Sequence, residues 1–418
     1  MAVQQQTRWI GNTLRVDYVL LGIVAALLII GLVMVWSVTF PPRVSMGLTD
    51  PEATFLKQAQ SAVVGVLVLL ILARIDYRRW RTLAIPLMIV TLLGLIAVFF
   101  QPPINGAHRW LFGQSVQPSE LAKFAMIVYM AAWLSSKGEK LRQVTYGLVP
   151  FAIIVGIVTG LIVLEPNVST AIIIALCATA MFFIAGAYMI QFVLLMIAGS
   201  GTLAIVVAKM PYALSRWINF VQDPFTLSIN EAYQVIETLI ALGSGGLFGR
   251  GLLSGYAKHG WVPAAHTDSI FALLGEEMGL VGTWAVLALF LALAYRGFRI
   301  ACKSNDPFGQ VLAAGLTFWL IFQAFVNIAV VTATIPFTGV PLPFISFGGS
   351  SLIAALAAVG VLLSISRGTT EVPKEDKPQD TKADATLDFG WRNGGTRVPR
   401  ASRRRGDSET ASRNKRAR

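Results

Sequence analysis

The stretch 262–279, "VPAAHTDSIFALLGEEMG", gathers His266, Asp268, Glu276 and Glu277 at the border of an otherwise apolar chain. A carboxylate where a polar loop turns into an apolar helix has two uses. As an N-cap, Asp268 accepts backbone N–H bonds from the first turn, worth about 1 kcal/mol. As a general base, it takes the proton from a hydroxyl while that oxygen attacks. Local reasoning leaves both readings open. Glu276 and Glu277 follow eight and nine residues later, about 12 Å further along a helix. Carboxylates at membrane depth must pair or face a polar cavity, so these two are read as support for the site or the helix bundle.

Other segments carry chemistry of their own. In "NGAHRWLFGQSVQPSELAKFAM", Arg109 beside Trp110 is either an interfacial anchor or a phosphate clamp. Pro118 suits the first helical position and Glu120 the first turn. Glu120 and Lys123 share a face, either as an ion pair or as a holder of an anionic headgroup. "LEPNVST" puts Glu165 at a hairpin, as an exposed cap or as a ligand in a substrate groove. In "TGVPLPFISFGGSS" the glycines favour close packing, and Ser346 is a candidate substrate contact. "GSGGLFGRG" lacks the Lys-Ser/Thr of a phosphate loop and reads as a flexible hinge. Two cysteines, Cys177 and Cys302, and three histidines make no disulfide framework or zinc centre.

The elements that position these groups are membrane helices. Of 418 residues, 55% are hydrophobic and 13% charged, where a soluble domain carries about 25% charged residues. Runs such as "YVLLGIVAALLIIGLVMVWSVTF" reach the about 20 apolar residues that a bilayer requires. The first is too long and lacks the small-residue exit of a cleaved signal peptide, so it reads as a retained helix. Ten spans are predicted near 18–40, 61–75, 83–100, 118–135, 147–164, 168–187, 189–209, 269–295, 309–335 and 346–366. Arginines 74, 78, 79 and 81, then Lys137, Lys140 and Arg142, then Arg296, Arg299 and Lys303 fall on one side. The positive-inside rule makes that side cytoplasmic, with both termini. A large outer loop, 210–268, separates helices seven and eight, and "NEAYQVIETLIALGSGG" within it reads as a surface helix capped by Asn230.

The net charge of +12 raises the question of nucleic acid. From Arg367 to Arg418 there are 14 Lys/Arg and 8 Asp/Glu, 14 − 8 = +6, half of the total. That tail is expected to be disordered and to touch anionic lipid headgroups on the cytoplasmic side. No nucleic-acid partner is expected.

Taken together, "GAHRWLFG", "QPSELAKFAM", "EPNVST", "YQVIETLIALGSGGLFGRGL", "AAHTDSIFALLGEEMGLVG" and "TGVPLPFISFGGSS" resemble the SEDS family of bacterial cell-wall polymerases, which includes FtsW, RodA and SpoVE. The resemblance spans most of the membrane part and excludes the tail. It implies an all-α polytopic membrane protein with ten transmembrane helices. Its parts are a cytoplasmic N-terminus (1–17), a membrane domain (18–366) and the basic tail (367–418). It implies localisation in the bacterial cytoplasmic membrane, with the active site on the extracytoplasmic face. The family's essential carboxylate, in its "HTDFIFA" motif, matches Asp268. Ser269 stands where the family has Phe, Ala264 where it has Glu, and Asn167 where many relatives carry Asp. The "PLPFISFGGSS" ending and long tail are more similar to the division branch than to the elongation branch.

The resemblance implies polymerisation of lipid II, with the GlcNAc 4-hydroxyl as acceptor and a strand on undecaprenyl diphosphate as donor. Asp268 would be the base of an inverting transfer. Diphosphate is a good leaving group, so the need is for charge stabilisation, from Arg109, Lys123, Arg216 or Lys258, or from a divalent cation, Mg or Mn. Glu120, Glu165, Gln234, His266 and Ser346 complete the expected substrate-binding set. The expected partners are a class B penicillin-binding protein (a transpeptidase), other division proteins and membrane lipids. The alternatives are a lipid II transporter, the elongation-type polymerase and a scaffold that only recruits the transpeptidase.

Overall fold

The computed structural model describes residues 17–45, 52–102, 108–111, 116–222, 229–263 and 265–368. The basic tail beyond 368, the N-terminal residues to 16 and the side chain of Asn230 lie outside the described residues. Twelve α-helices are found among those described: α1 Tyr18–Ser45, α2 Ala53–Arg74, α3 Arg79–Val98, α4 Pro118–Lys137, α5 Val149–Leu164 and α6 Val168–Ile184, then α7 Met189–Lys209, α8 Pro211–Val221, α9 Ile229–Ser244, α10 Ile270–Lys303, α11 Pro307–Val331 and α12 Gly349–Gly368. Extended pairing among the described residues is confined to one bridge between Leu111 and Val116.

Eight of the helical segments are long and apolar enough to cross a membrane. The other two spans read from the sequence correspond to α4, which carries Glu120 and Lys123 in its first turns, and to α6, at 17 residues. Helices α11 and α12 are largely buried, whereas α7 packs almost nothing against the rest. The segment 210–268 contains α9, where the apolar spacing predicts it. It also contains α8, beyond what that spacing predicts. Pro211 at the first position of α8 starts a new helix directly after α7, because proline fits there without losing a needed N–H.

Span eight is not one helix. Gly279, at φ 67 and ψ −166, breaks α10 into a short N-terminal part and a long C-terminal part. The broken backbone groups are satisfied by the glycine-rich loop. Arg250 N and Gly251 N donate to the carbonyls of Glu276 and Glu277, at 2.9 and 3.0 Å. Leu280 N and Val281 N donate to the carbonyls of Gly246 and Leu247, at 2.9 and 3.1 Å. "GSGGLFGRG" is therefore a docked loop rather than a free hinge. Its glycines allow contact between backbones: a Cβ on Gly245 would lie 1.9 Å from the Gly275 carbonyl oxygen. Irregular backbone at such depth is tolerated where protein covers it and its polar groups are paired.

The same rule governs the segment between α11 and α12. Apolar runs carry spans nine and ten up to 335 and from 346, but α11 ends at Val331 and α12 begins at Gly349. Val340, Leu342, Phe344 and Ile345 are buried in the intervening loop. Side chains from the helices take up its backbone groups. Gln323 Nε2 donates to Pro341 O at 2.9 Å, Gln58 Nε2 donates to Ser346 O at 3.2 Å, and Gly348 N donates to Gln58 Oε1 at 3.2 Å.

Candidate active site

Asp268 ends the segment that leads into α10. The N-cap position is Ser269, at φ −100 and ψ 9, with no side-chain capping bond. Among the described residues no backbone N–H of α10 donates to the Asp268 carboxylate, so the side chain is not spent on capping. Its backbone is held instead. Asn327 Nδ2 of α11 donates to Asp268 O at 2.8 Å and to Val340 O at 2.7 Å. Ser346 Oγ donates to Thr267 O at 2.6 Å and accepts from Leu342 N at 2.8 Å. Phe347 N donates to His266 O at 2.9 Å, and the His266 ring meets Phe347 edge-on at 5.4 Å. The α11–α12 loop is thus the platform on which Asp268 stands. Gly339, at φ 67, lets that platform approach closely, since a Cβ there would lie 3.1 Å from Asp268 Oδ2.

The carboxylate faces a cavity of about 230 Å³. Arg109, the α5–α6 turn from Pro166 to Ser169, one face of α8 and residues 336–339 close its walls. Ala213, Arg216 and Trp217 recur at helical spacing and supply the α8 face. The exposed Leu214, Ile218 and Val221 lie on its other side. Arg216 donates to Phe337 O at 2.9 Å and lies over the Phe337 ring at 5.6 Å. Arg109 Nε donates to Glu165 O at 3.3 Å, and another of its nitrogens donates to Pro166 O. Ser169 Oγ donates to Thr338 O at 2.7 Å, closing the turn onto the opposite wall. Burial pushes the Asp268 carboxyl up to about 6, and the Arg216 and Arg109 charges hold it from rising further. Glu165 is buried at the end of α5 rather than an exposed cap. That burial pushes it up to about 8, opposed by Arg109.

The remaining predicted residues are not brought to this cavity. Glu120 and Lys123 form a buried pair at 2.7 Å. Lys123 also donates to Gln323 Oε1 at 2.8 Å and lies 5.5 Å from the Trp319 ring, whose Nε1 shares the same oxygen at 2.9 Å. Lys258 is buried against Glu277 at 2.8 Å and lies 3.4 Å from Ser37 Oγ. Glu277 also accepts from Ser37, at 2.6 and 2.7 Å, and from Leu253 N at 3.2 Å. Glu276 accepts from Tyr256 N at 2.8 Å, with Arg250 at 3.9 Å. This cluster straps residues 250–258 across the break in α10. Gln234 Nε2 reaches Pro263 O at 3.4 Å, supporting the chain just before Asp268. Ser346 is buried and committed to backbone.

Sequence reasoning does not find Asn327, Gly339, Ser169 and Trp217. Asn327 does carry a signal: a buried amide inside an apolar helix needs partners. The other three are set by tertiary contact and have no local pattern. Among the described residues no group of three or more His, Cys, Asp or Glu side chains is gathered to hold a metal ion. One carboxylate facing two guanidinium groups does not fit a divalent cation held by the protein, because such ions take clusters of oxygen ligands.

Comparison with known proteins gives the family. The profile of the FtsW, RodA and SpoVE family, described as cell cycle protein, matches residues 18–371. The probable peptidoglycan glycosyltransferase FtsW of Geobacter metallireducens is 38% identical over 361 residues, covering 84% of this chain and 95% of that protein. Stage V sporulation protein E of Bacillus subtilis is 36% identical over 359 residues, covering 84% and 97%. Among solved structures, the rod shape determining protein RodA of Thermus thermophilus matches with a TM-score of 0.63 at 27% identity, covering 87% of this chain and 99% of that one. A chain from a peptidoglycan synthase complex, in which polymerization and crosslinking are coordinated, matches with a TM-score of 0.68 at 26% identity, covering 87% and 100%.

Proposed function

Because the chain belongs to the FtsW, RodA and SpoVE family of cell cycle proteins, we propose that it is a peptidoglycan glycosyltransferase that polymerises lipid II for the septal cell wall. The observation that carries this reading is the Asp268 carboxylate, free of any capping bond and sharing one cavity with Arg109 and Arg216. A base and a pair of cations are what glycosyl transfer from a lipid diphosphate requires. Asp268 takes the proton from the 4-hydroxyl of the acceptor GlcNAc as that oxygen attacks the anomeric carbon of the donor strand. The C–O bond to undecaprenyl diphosphate breaks, and the departing diphosphate keeps the electron pair. Arg109 and Arg216 stabilise that charge as it develops. Attack opposite the leaving group inverts the configuration.

The membrane setting follows the same reading. Ten spans, counting α4 and α6, with the basic clusters at 74–81, 137–142 and 296–303 taken as cytoplasmic, support the reading that both termini are cytoplasmic and the cavity extracytoplasmic. The exposed apolar face of α8 then lies along the outer interface, where a lipid headgroup arrives without leaving the bilayer. Residues 18–366 form the membrane domain. A class B penicillin-binding protein is the partner that this chemistry calls for, since new strands must be crosslinked. Division proteins and anionic lipid at the tail complete the set.

The test is Asp268→Asn. The amide has nearly the shape of the carboxylate, which caps no helix here, but takes no proton. The variant is expected to fold, and to lose polymerisation of labelled lipid II by about 10²-fold or more. Normal polymer from a folded Asp268→Asn chain would sink the base assignment. Polymer from the wild-type chain in detergent, with no gradient, separates an enzyme from a transporter.

A further inference from the structure

Glu165 is fully buried, and neither of its carboxylate oxygens has a hydrogen-bond partner among the described residues. Native structures seldom leave such a group orphaned, and an unpaired buried anion is far more costly than a neutral acid. The Arg109 guanidinium beside it does not bond to the carboxyl. It donates to the backbone carbonyls of Glu165 and Pro166 instead, which leaves further N–H donors on the same fork. Arg109 also acts electrostatically on Asp268 across the cavity. One guanidinium is therefore shared between the cavity and a carboxyl behind its wall.

We propose that Glu165 is a positioning residue that sets the charge of the anion clamp: neutral, it leaves Arg109 to a diphosphate, and ionised, it draws Arg109 to itself. The proposal rests on the reading of the cavity as a lipid-diphosphate site. Linkage gives its direction. Burial pushes Glu165 up to about 8, so the acid is protonated near neutrality. An anion on Arg109 favours the protonated form further, and loss of that proton weakens anion binding by the same factor. Other charges around the turn do not supply this effect. On α4, which meets the turn through Ser119 and Asn167 at 3.2 Å, Glu120 and Lys123 are closed on each other. His108 Nδ1 lies 2.7 Å from Gln101 O. Residues 336–339, which close the turn through Ser169, carry no titratable side chain. Arg216 and Asp268 stand across the cavity.

The experiment measures binding of fluorescently labelled lipid II to the full-length Asp268→Asn chain in detergent, where chemistry is silent and Asp268 no longer titrates. The diphosphate diester stays fully ionised across the range. Affinity is expected to fall about five-fold between about pH 7 and about pH 9, within the about ten-fold total that a coupling of about one pKa unit allows. Adding Glu165→Gln is expected to flatten the curve at its tight, low-pH value. The same slope with and without Glu165→Gln overturns the proposal, as does a parent curve that is flat. Should Glu165→Gln misfold, the infrared carbonyl band of a protonated acid in the parent chain decides: its absence near pH 7 overturns the proposal, and its loss by about pH 9 supports it. Failure of the glycosyltransferase reading shows separately. It appears as a wild-type chain that binds lipid II with this pH dependence yet makes no polymer.

Discussion

An aspartate that faces two guanidinium groups must lose its own proton before it can take another. Burial raises Asp268 to about 6, so polymerisation is expected to climb about ten-fold per pH unit below that value and to level off above it. Rates of lipid II turnover from about pH 5 to about pH 8 check this. The same shift has a sign in stability. The folded state holds the proton more tightly than the unfolded chain, whose carboxyl has a value of 3.8. Stability from this group is therefore complete below 3.8 and is lost as pH rises towards about 6. Asp268→Asn is expected to unfold at a higher temperature than wild type at neutral pH, while being inactive. Glu165→Gln follows the same rule, its advantage growing between 4.5 and about 8. At this scale the sequence names the chemistry but leaves its geometry open. Asp268 stands out as cap or base, and its backbone anchor, Asn327, is visible only once α11 is packed beside it.

At the scale of elements, the break in α10 decides what Lys258 does. A buried cation whose partner is removed, or the reverse, costs about 3–5 kcal/mol, while removing both can be nearly neutral. Lys258→Met is expected to destabilise by about that amount, and Lys258→Met with Glu277→Gln to recover most of it. Thermal unfolding in detergent measures both. The double variant also separates two roles: it keeps polymerising if Lys258 is a strap, and stays inactive if Lys258 holds substrate. Gly279→Ala places a Cβ 2.2 Å from Gly249 N at a positive φ and is expected to cost more than about 1 kcal/mol. Helix existence is legible from apolar runs and spacing, including α9. The break is not, because apolar runs report burial rather than continuity, and the glycines on the two sides make sense only when stacked.

For the whole molecule, the proposed orientation has a native reporter. Cys302 is exposed near the end of α10 and Cys177 is buried. A membrane-impermeant thiol reagent is expected to label Cys302 in inside-out vesicles and not in intact cells, with Cys177 silent in both. Labelling from outside would reverse the topology. Eight spans are plain from hydropathy. Helix α4 hides its polar first turns in an internal ion pair, and α6 is short, so their membrane roles rest on packing that composition does not record. A bilayer also changes thickness, and helices answer by tilting. Both parts of α10 are tied to the glycine-rich loop at the Gly279 break, and Asp268, just before α10, is tied to α11 through Asn327. The loop therefore splints the joint from both sides, and the aspartate takes its aim from α11 rather than from an unbroken helix.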